Sequence, residues 1–201
     1  MTAQAGDTTS TPSELKSLAR RKQAMRQAVR QVRRSLDAAT RRRAAVRAAT
    51  HLARAARQVR HVAVYLSVGE ELDTAPLLDL LRRRGCTLYA PRLAGPGRLR
   101  FTRLAHGTTL RRNRYGIAEP IGGALPSRLD LVLLPLVAFD AQGRRLGMGG
   151  GYYDRLLARP RRWPLRVGFA FAAQEVAAVP AQAHDVRLDA VVTERGLRRF
   201  R

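Results

Sequence analysis

Apolar residues recur at helical spacing from about Ser13 to Leu36, where Leu15, Leu18, Met25, Val29, Val32 and Leu36 lie three, four or seven positions apart. A second helix is predicted from about Ala38 to Gln58. Asp37 stands where a side chain can cap its free amides, Val46, Ala49, Leu52, Ala56 and Val59 form the inward stripe, and arginines fill the outer face. The period then changes. His61 to Val68 is rich in β-branched residues and reads as a strand, Thr74 to Arg84 as a helix, and Thr87 to Arg92 as a second strand. Arg98 to Leu104 alternates and reads as a third strand, antiparallel to the others. The run Leu131 to Val137 is almost wholly apolar without a helical period, as in a strand covered on both faces of a parallel sheet. Leu165 to Phe171 and Asp189 to Thr193 supply two more strands. Residues 105 to 129, punctuated by glycine and proline, read as irregular, with Tyr115 and Glu119 available to a ligand. The small polar residues 1–12 read as a disordered tail. Strand and helix alternation predicts a single α/β domain over residues 13–201, a three-layer α/β/α arrangement with a mostly parallel central sheet.

The chemistry concentrates where the most apolar strand ends. Four glycines, Gly147, Gly149, Gly150 and Gly151, surround Met148, and a helix is predicted to begin near Tyr152. Glycine permits positive φ and removes each Cβ that would hold the backbone away from a ligand. Open α/β sheets bind ligands at the carboxyl ends of their strands, and free amides at a helix start favour an anion. A phosphate fits such a turn, and Arg144 and Arg145 add positive charge beside it. Asp154 falls in the first helical turn, where it complements the helix dipole or holds a magnesium ion beside phosphates. A turn that needs glycine only for sterics is the competing reading. With Tyr at 152 and no Gly-Lys-Ser/Thr, both the dinucleotide fingerprint and the P-loop are excluded. Lys22 interrupts the apolar stripe of the first helix, and Arg26 lies one turn further on. Either the lysine stem lies along the buried rim, or the two cations form a pair aimed at the phosphate site. Among the acidic residues at 70–73, helix capping explains Asp73 well and Glu71 poorly.

Composition narrows the setting. Lys and Arg number 38 against 15 Asp and Glu, a formal charge of +23, and only Lys16 and Lys22 are lysines. That charge favours polyanionic partners, yet there is little aromatic interleaving, no zinc-ligand spacing and no nucleic-acid module, so no specific nucleic acid is expected. No apolar run approaches a membrane span or a signal peptide. The lone Cys86 forms no internal disulfide, and a reducing cytoplasm is the expected location.

Several separated stretches, in order, resemble the 5-formyltetrahydrofolate cyclo-ligase (methenyltetrahydrofolate synthetase) family over nearly all of residues 15–195. The most specific is Phe139-Asp140 through Gly143 and then Arg145-Leu146-Gly147-Met148-Gly149-Gly150-Gly151-Tyr152-Tyr153-Asp154, with Pro135 upstream. Lys22 with Arg26, Glu71 to Thr74, Pro91-Arg92, Gly116-Ile117, Glu119-Pro120, His184-Asp185 and Leu188-Asp189 support it. The resemblance implies an ATP- and magnesium-dependent ring closure of 5-formyltetrahydrofolate, the folate carrying one glutamate or several; a monomer is expected. It implies that Lys22, Arg26 and the segment Arg145, Leu146, Gly147, Met148, Gly149, Gly150, Gly151, Tyr152 and Tyr153 contact ATP, with Lys22 and Arg145 acting in catalysis. Glu71 and the loop Met148 to Tyr152 would contact folate, with Tyr115 a further candidate by residue type, and Asp154 and Asp189 would hold magnesium. Some relatives place a cation in the turn at a position equivalent to Met148 or Gly150. Here neither is charged, so neutralisation falls to Lys22, Arg26, Arg145 and the amides. Two other readings remain open at this point: a sugar-phosphate isomerase or coenzyme A transferase chemistry on a similar architecture, and a basic nucleic-acid-binding protein.

Overall fold

The structure is a computed structural model and describes residues 11–158, 164–182 and 185–200. The chain begins with α1 (Pro12–Ser35), started by a reciprocal cap: the Thr11 hydroxyl accepts from the Glu14 amide at 3.3 Å, and the Glu14 carboxylate accepts from the Thr11 amide at 2.7 Å. Thr11 and Pro12 therefore belong to the helix, not to the expected tail. After α2 (Ala38–Ala55), capped by Asp37 as expected, come β1 (His61–Ala63), α3 (Ala75–Arg83), β2 (Thr87–Leu93) and β3 (Leu99–Arg103). A small hairpin, β4 (Leu110–Arg112) with β5 (Ala118–Pro120), precedes the central β6 (Leu131–Leu134). A second hairpin, β7 (Ala138–Phe139) with β8 (Arg145–Leu146), leads to the short α4 (Tyr152–Leu157). β9 (Leu165–Phe169), β10 (Ala190–Thr193) and β11 (Gly196–Arg199) complete the chain.

The main sheet has the order β11-β10-β9-β6-β1-β2-β3. Its five inner strands are parallel, and β3 and β11 close the two edges antiparallel. All four β6 residues are buried, and their alternation divides the core. Leu131 and Leu133 pack with Leu52 of α2 and Leu77 of α3, while Val132 and Leu134 pack with Leu157 of α4 and with Phe101 and Phe139. Among the described residues the second layer is thin, one short α-helix and irregular chain. α1 lies beyond the strand ends instead, with Val29 packed on Val137, Ala138 and Leu146.

Several expectations need correction. The strand predicted to reach Val68 pairs only to Ala63. One further bond runs from the Val64 amide to the Tyr89 carbonyl at 2.8 Å, and Tyr65 to Val68 then leave the sheet. Val46 is 54% exposed, its inward place taken by Ala45 and Ala48, and α2 ends at Ala55. On α1, Val32 is 42% exposed while Arg33 is 1% exposed. Arg33 turns inward because Glu70 lies 3.5 Å from it. Glu119 is buried, accepting from the Leu93 amide at 3.0 Å and Arg111 at 3.3 Å, so it braces the β4–β5 hairpin and is not open to a ligand.

Glu70 fastens the 67–74 loop to α1, with Arg30 donating to it at 2.8 Å and Arg33 beside it. Burial raises its carboxyl, but the Arg30 hydrogen bond and the two guanidiniums more than reverse this and bring it down from 4.5 to about 2. A depressed folded-state pKa gives stability that is complete above the unfolded value and lost as pH falls toward about 2. Glu70→Gln is expected to cost about 2 kcal/mol at neutral pH and to flatten the acid limb. Denaturant titrations between pH 7 and 2.5 check this, and an acid limb unchanged by the substitution would contradict it.

Candidate functional site

The glycine turn is positioned from both sides by residues that are themselves fixed. Ahead of it, the buried Asp140 closes the β7–β8 hairpin: Oδ1 accepts the Gln142 and Arg144 amides at 3.0 Å and Oδ2 the Val179 amide at 2.9 Å. Gly143 at φ 74° is required there, since a Cβ would stand 2.8 Å from the Phe200 ring. The Phe139 to Gly143 part of the motif is therefore a structural turn. Behind it, Arg145 of β8 reaches across to Asp154 of α4, donating through Nη1 at 2.9 Å and Nη2 at 2.8 Å to the same oxygen, and through Nη1 to the Val186 carbonyl at 3.2 Å. The Arg145 side chain is 3% exposed, and burial lowers its pKa while Asp154 pulls the other way. One ion pair thus staples the two ends of the loop that carries the glycines.

Above this base lies a cleft of about 870 Å³ at the carboxyl end of β6, where Pro135 lines it. Lys22, Arg26, Glu71, Tyr115, Arg145 to Asp154, Arg155, Gln182 and Asp185 all line the same space. The structure thereby brings together the predicted site residues except Asp189, Glu119 and Arg144, the last of which lies 4.0 Å from Asp140 and does not line the cleft. Lys22 Nζ lies 2.7 Å from Asp185 Oδ2 and donates to Gln182 at 3.3 Å. Arg26 Nε donates to the Gly147 carbonyl at 2.9 Å, and burial lowers its pKa. The glycines take the conformations expected of a side-chain-free cradle, with Gly149 at φ 101° and Gly151 at φ 63°. The helix after them has only six residues, so the local amides, not a long helix dipole, supply the positive edge.

Glu71 sits in the splayed segment after β1, accepting from the Val68 amide at 3.0 Å. Burial pushes its carboxyl up, against the pull of that amide and of Arg33. At the mouth, the Tyr152 hydroxyl shares a 2.9 Å hydrogen bond with Tyr115 and accepts from Arg114 at 2.9 Å, which holds the phenol below its ordinary value. Tyr153, which also lines the cleft, packs with its ring centroid 6.4 Å from that of Phe101, and burial raises its phenol.

Asp189 requires a correction. It precedes β10 at the amino end of the strand, takes the Arg166 amide at 2.8 Å and the Arg166 Nε at 2.9 Å, and does not line the cleft. It anchors two strand starts, its carboxylate held by Arg166. The carboxylates that do share the cleft with Asp154 are Glu71 and Asp185, the latter marked in the sequence only as part of the His184-Asp185 motif. His184 lies outside the described residues. A part-buried lysine demands a carboxylate, which was the available signal for Asp185. Arg155 and Gln182 carried no comparable signal. Among the described residues no group of three or more His, Cys, Asp or Glu could hold a metal by itself.

A parallel α/β domain whose strand ends open on a glycine-lined, cation-bearing cleft is an enzyme architecture built for a small anionic ligand. The model of the 5-formyltetrahydrofolate cyclo-ligase family matches residues 19–194, and this chain belongs to that family. The 5-formyltetrahydrofolate cyclo-ligase of Escherichia coli K12 is 45% identical over 139 residues, covering 66% of this chain and 76% of the relative. That of Mycolicibacterium smegmatis is 32% identical over 148 residues, covering 69% and 76%. The NMR structure of Aquifex aeolicus 5,10-methenyltetrahydrofolate synthetase superposes with a TM-score of 0.79 at 33% identity, covering 90% of this chain and 93% of the other. These matches favour the cyclo-ligase over both other readings left open by the sequence. No helix among the described residues is long and apolar enough to cross a membrane.

Proposed function

We propose that this chain closes 5-formyltetrahydrofolate to 5,10-methenyltetrahydrofolate at the expense of ATP, with the cleft between α1 and the glycine turn holding both substrates. The observation that carries the reading is the side-chain-free turn Gly147 to Gly151 at the exit of the central strand, facing Lys22 and Arg26 in one cleft. The formyl oxygen on nitrogen 5 attacks the terminal phosphorus of ATP and ADP leaves. Nitrogen 10 then attacks the activated formyl carbon, the carbon–oxygen bond breaks, phosphate departs, and nitrogen 10 gives up its proton. No protein nucleophile is needed, because phosphoryl transfer depends on positioning and on stabilising the spreading negative charge. Lys22, Arg26 and the turn amides serve the phosphates, Arg145 holds the turn in shape, and Glu71 is placed to accept from the amino and ring N–H groups of the pterin. Tyr152 and Tyr115 form the wall on which a flat ring packs. In this reading the protein acts as a monomer in the cytoplasm, on mono- or polyglutamylated folate.

Magnesium fits this cleft through Asp154. Its Oδ1 is taken by Arg145 and the Val186 amide, whereas Oδ2 makes no hydrogen bond among the described residues. One carboxylate oxygen plus nucleotide phosphates is a usual way for magnesium to be held. When bound, the ion would neutralise phosphate charge. Asp154→Asn is expected to raise the magnesium concentration needed for half-maximal rate several-fold, and an unchanged metal titration would leave Asp154 only its ion pair. The function itself is tested by mixing the protein with 5-formyltetrahydrofolate, ATP and magnesium and following the near-ultraviolet absorbance of the methenyl product. ATP-dependent growth of that band is expected; folded protein giving none would reject the proposal.

A further inference from the structure

The turn carries no charge of its own, and the cations around it are not equally free. Of the four that line the cleft, Lys22 is paired with Asp185 at 2.7 Å and Arg145 with Asp154 at 2.8 Å. Arg26 and Arg155 form no ion pair among the described residues and are attached to the turn itself. Arg26 Nε holds the Gly147 carbonyl at 2.9 Å; Arg155 Nη2 holds the Gly150 carbonyl at 2.5 Å, and its Nε holds the Gly97 carbonyl at 2.9 Å. The Arg155 guanidinium also lies 5.4 Å over the Tyr152 ring. Two carbonyls and one ring therefore fix its plane, and Nη1 has no hydrogen-bond partner among the described residues.

The two left-handed glycines are roofed by these two guanidiniums. A Cβ on Gly149 would come 3.4 Å from Arg26 Cζ and Nη2, and a Cβ on Gly151 would come 2.5 Å from Arg155 Nη1. The missing side chains thus admit cations as well as permitting the bend. A trans peptide points its carbonyl and its N–H in opposite directions, so an arginine holding the Gly150 carbonyl also fixes where the Gly151 amide points.

We propose that Arg155 is a nucleotide-binding residue, its Nη1 donating to an oxygen of the polyphosphate that lies on the turn and supplying the charge that Met148 and Gly150 lack. This rests on the function proposed above. The planar guanidinium suits the role because it can hold two carbonyls and still present an outward donor, which an ammonium on a flexible stem does less well. The anion recognised is a phosphate oxygen, although a carboxylate of the folate glutamate would satisfy the same fork. Separate affinities for the two substrates distinguish these sources.

The experiment is calorimetric titration of wild-type protein, Arg155→Ala and Arg155→Lys with ATP in the absence of folate, and with 5-formyltetrahydrofolate in the absence of ATP. Thermal melting of each variant checks the fold. Arg155→Ala is expected to weaken ATP binding tenfold or more, Arg155→Lys is expected to recover part of that loss, and folate affinity is expected to stay within twofold throughout. ATP affinity within twofold of wild type in the alanine variant would overturn the proposal, as would a folate affinity that falls as far as that for ATP. If the alanine variant does not fold, Arg155→Lys decides: threefold or more weaker ATP binding with folate unchanged supports the assignment, and anything less overturns it. Wild-type protein that binds neither substrate would instead bring down the proposed function.

Discussion

Arg145→Met is expected to lower turnover at least a hundredfold and to destabilise the protein by about 3 kcal/mol, the scale of breaking a buried ion pair from one side. The Arg145 side chain is 3% exposed and its partner Asp154 25% exposed, so little water is present to compensate. Methionine retains the apolar stem but leaves the Asp154 Oδ1 with only the Val186 amide at 3.3 Å. Because the pair joins β8 to α4 across the turn, its loss frees both ends of the cradle at once. An error of about 1 Å in a positioned group is enough to cost two orders of magnitude in rate. Steady-state kinetics at a temperature where the variant stays folded, together with denaturant titration, check the two parts separately. Lost stability with full turnover would leave Arg145 a staple and nothing more, and unchanged stability would contradict the buried pair itself.

Lys22→Ala is expected to cut turnover tenfold or more and to raise the KM for ATP, on the scale of losing one charge-assisted hydrogen bond. Lys22 stands on α1, a different element from the turn, and its ammonium is held at the cleft wall by Asp185 and Gln182. Truncation removes a cation from the phosphate side and leaves Asp185 without that partner in the same space, so both effects oppose an incoming anion. Lys22→Arg is expected to restore only part of the activity, since the guanidinium is larger and planar where a compact charge is seated. Steady-state kinetics with ATP varied at saturating folate check this, and wild-type constants in the alanine variant would remove Lys22 from the site.

Much of the architecture was legible because local signals and burial agree. The Asp37 cap, the all-apolar β6, the antiparallel β3 and the glycine turn each follow from a rule that needs only neighbouring residues. The failures occur where a distant partner overrides the local pattern. Arg33 is buried, and Val32 on the same helix exposed, because Glu70 waits far along the chain. The strand starting at His61 leaves the sheet after Ala63 although Tyr65 to Val68 continue its pattern, and that departure places Glu71 in the cleft. The hairpin β4–β5 went unseen because Arg111 and Arg112 are exposed and show no alternation.

The site divides the same way. Residue type and spacing singled out the glycine turn and left Lys22, Arg26 and Glu71 with two readings each, and the family resemblance placed them at one site, where the structure brings them together. The resemblance did not separate Asp185 from Asp189, which stand close in sequence yet differ entirely in setting. One faces Lys22 across the cleft; the other serves Arg166 at the opposite end of a strand. Which carboxylate faces a cavity depends on strand direction and register, and neither is carried by residue identity alone.

The central claim is that the bend between Gly147 and Gly151 receives the terminal phosphoryl group of a nucleotide beside Lys22 and Arg26. Its most direct test is an amide chemical-shift titration of isotopically labelled protein with a non-hydrolysable ATP analogue. The account predicts that the largest shifts fall on the amides of Gly147, Met148, Gly149, Gly150 and Gly151. Saturating nucleotide that leaves those five amides unmoved while shifting others would contradict it.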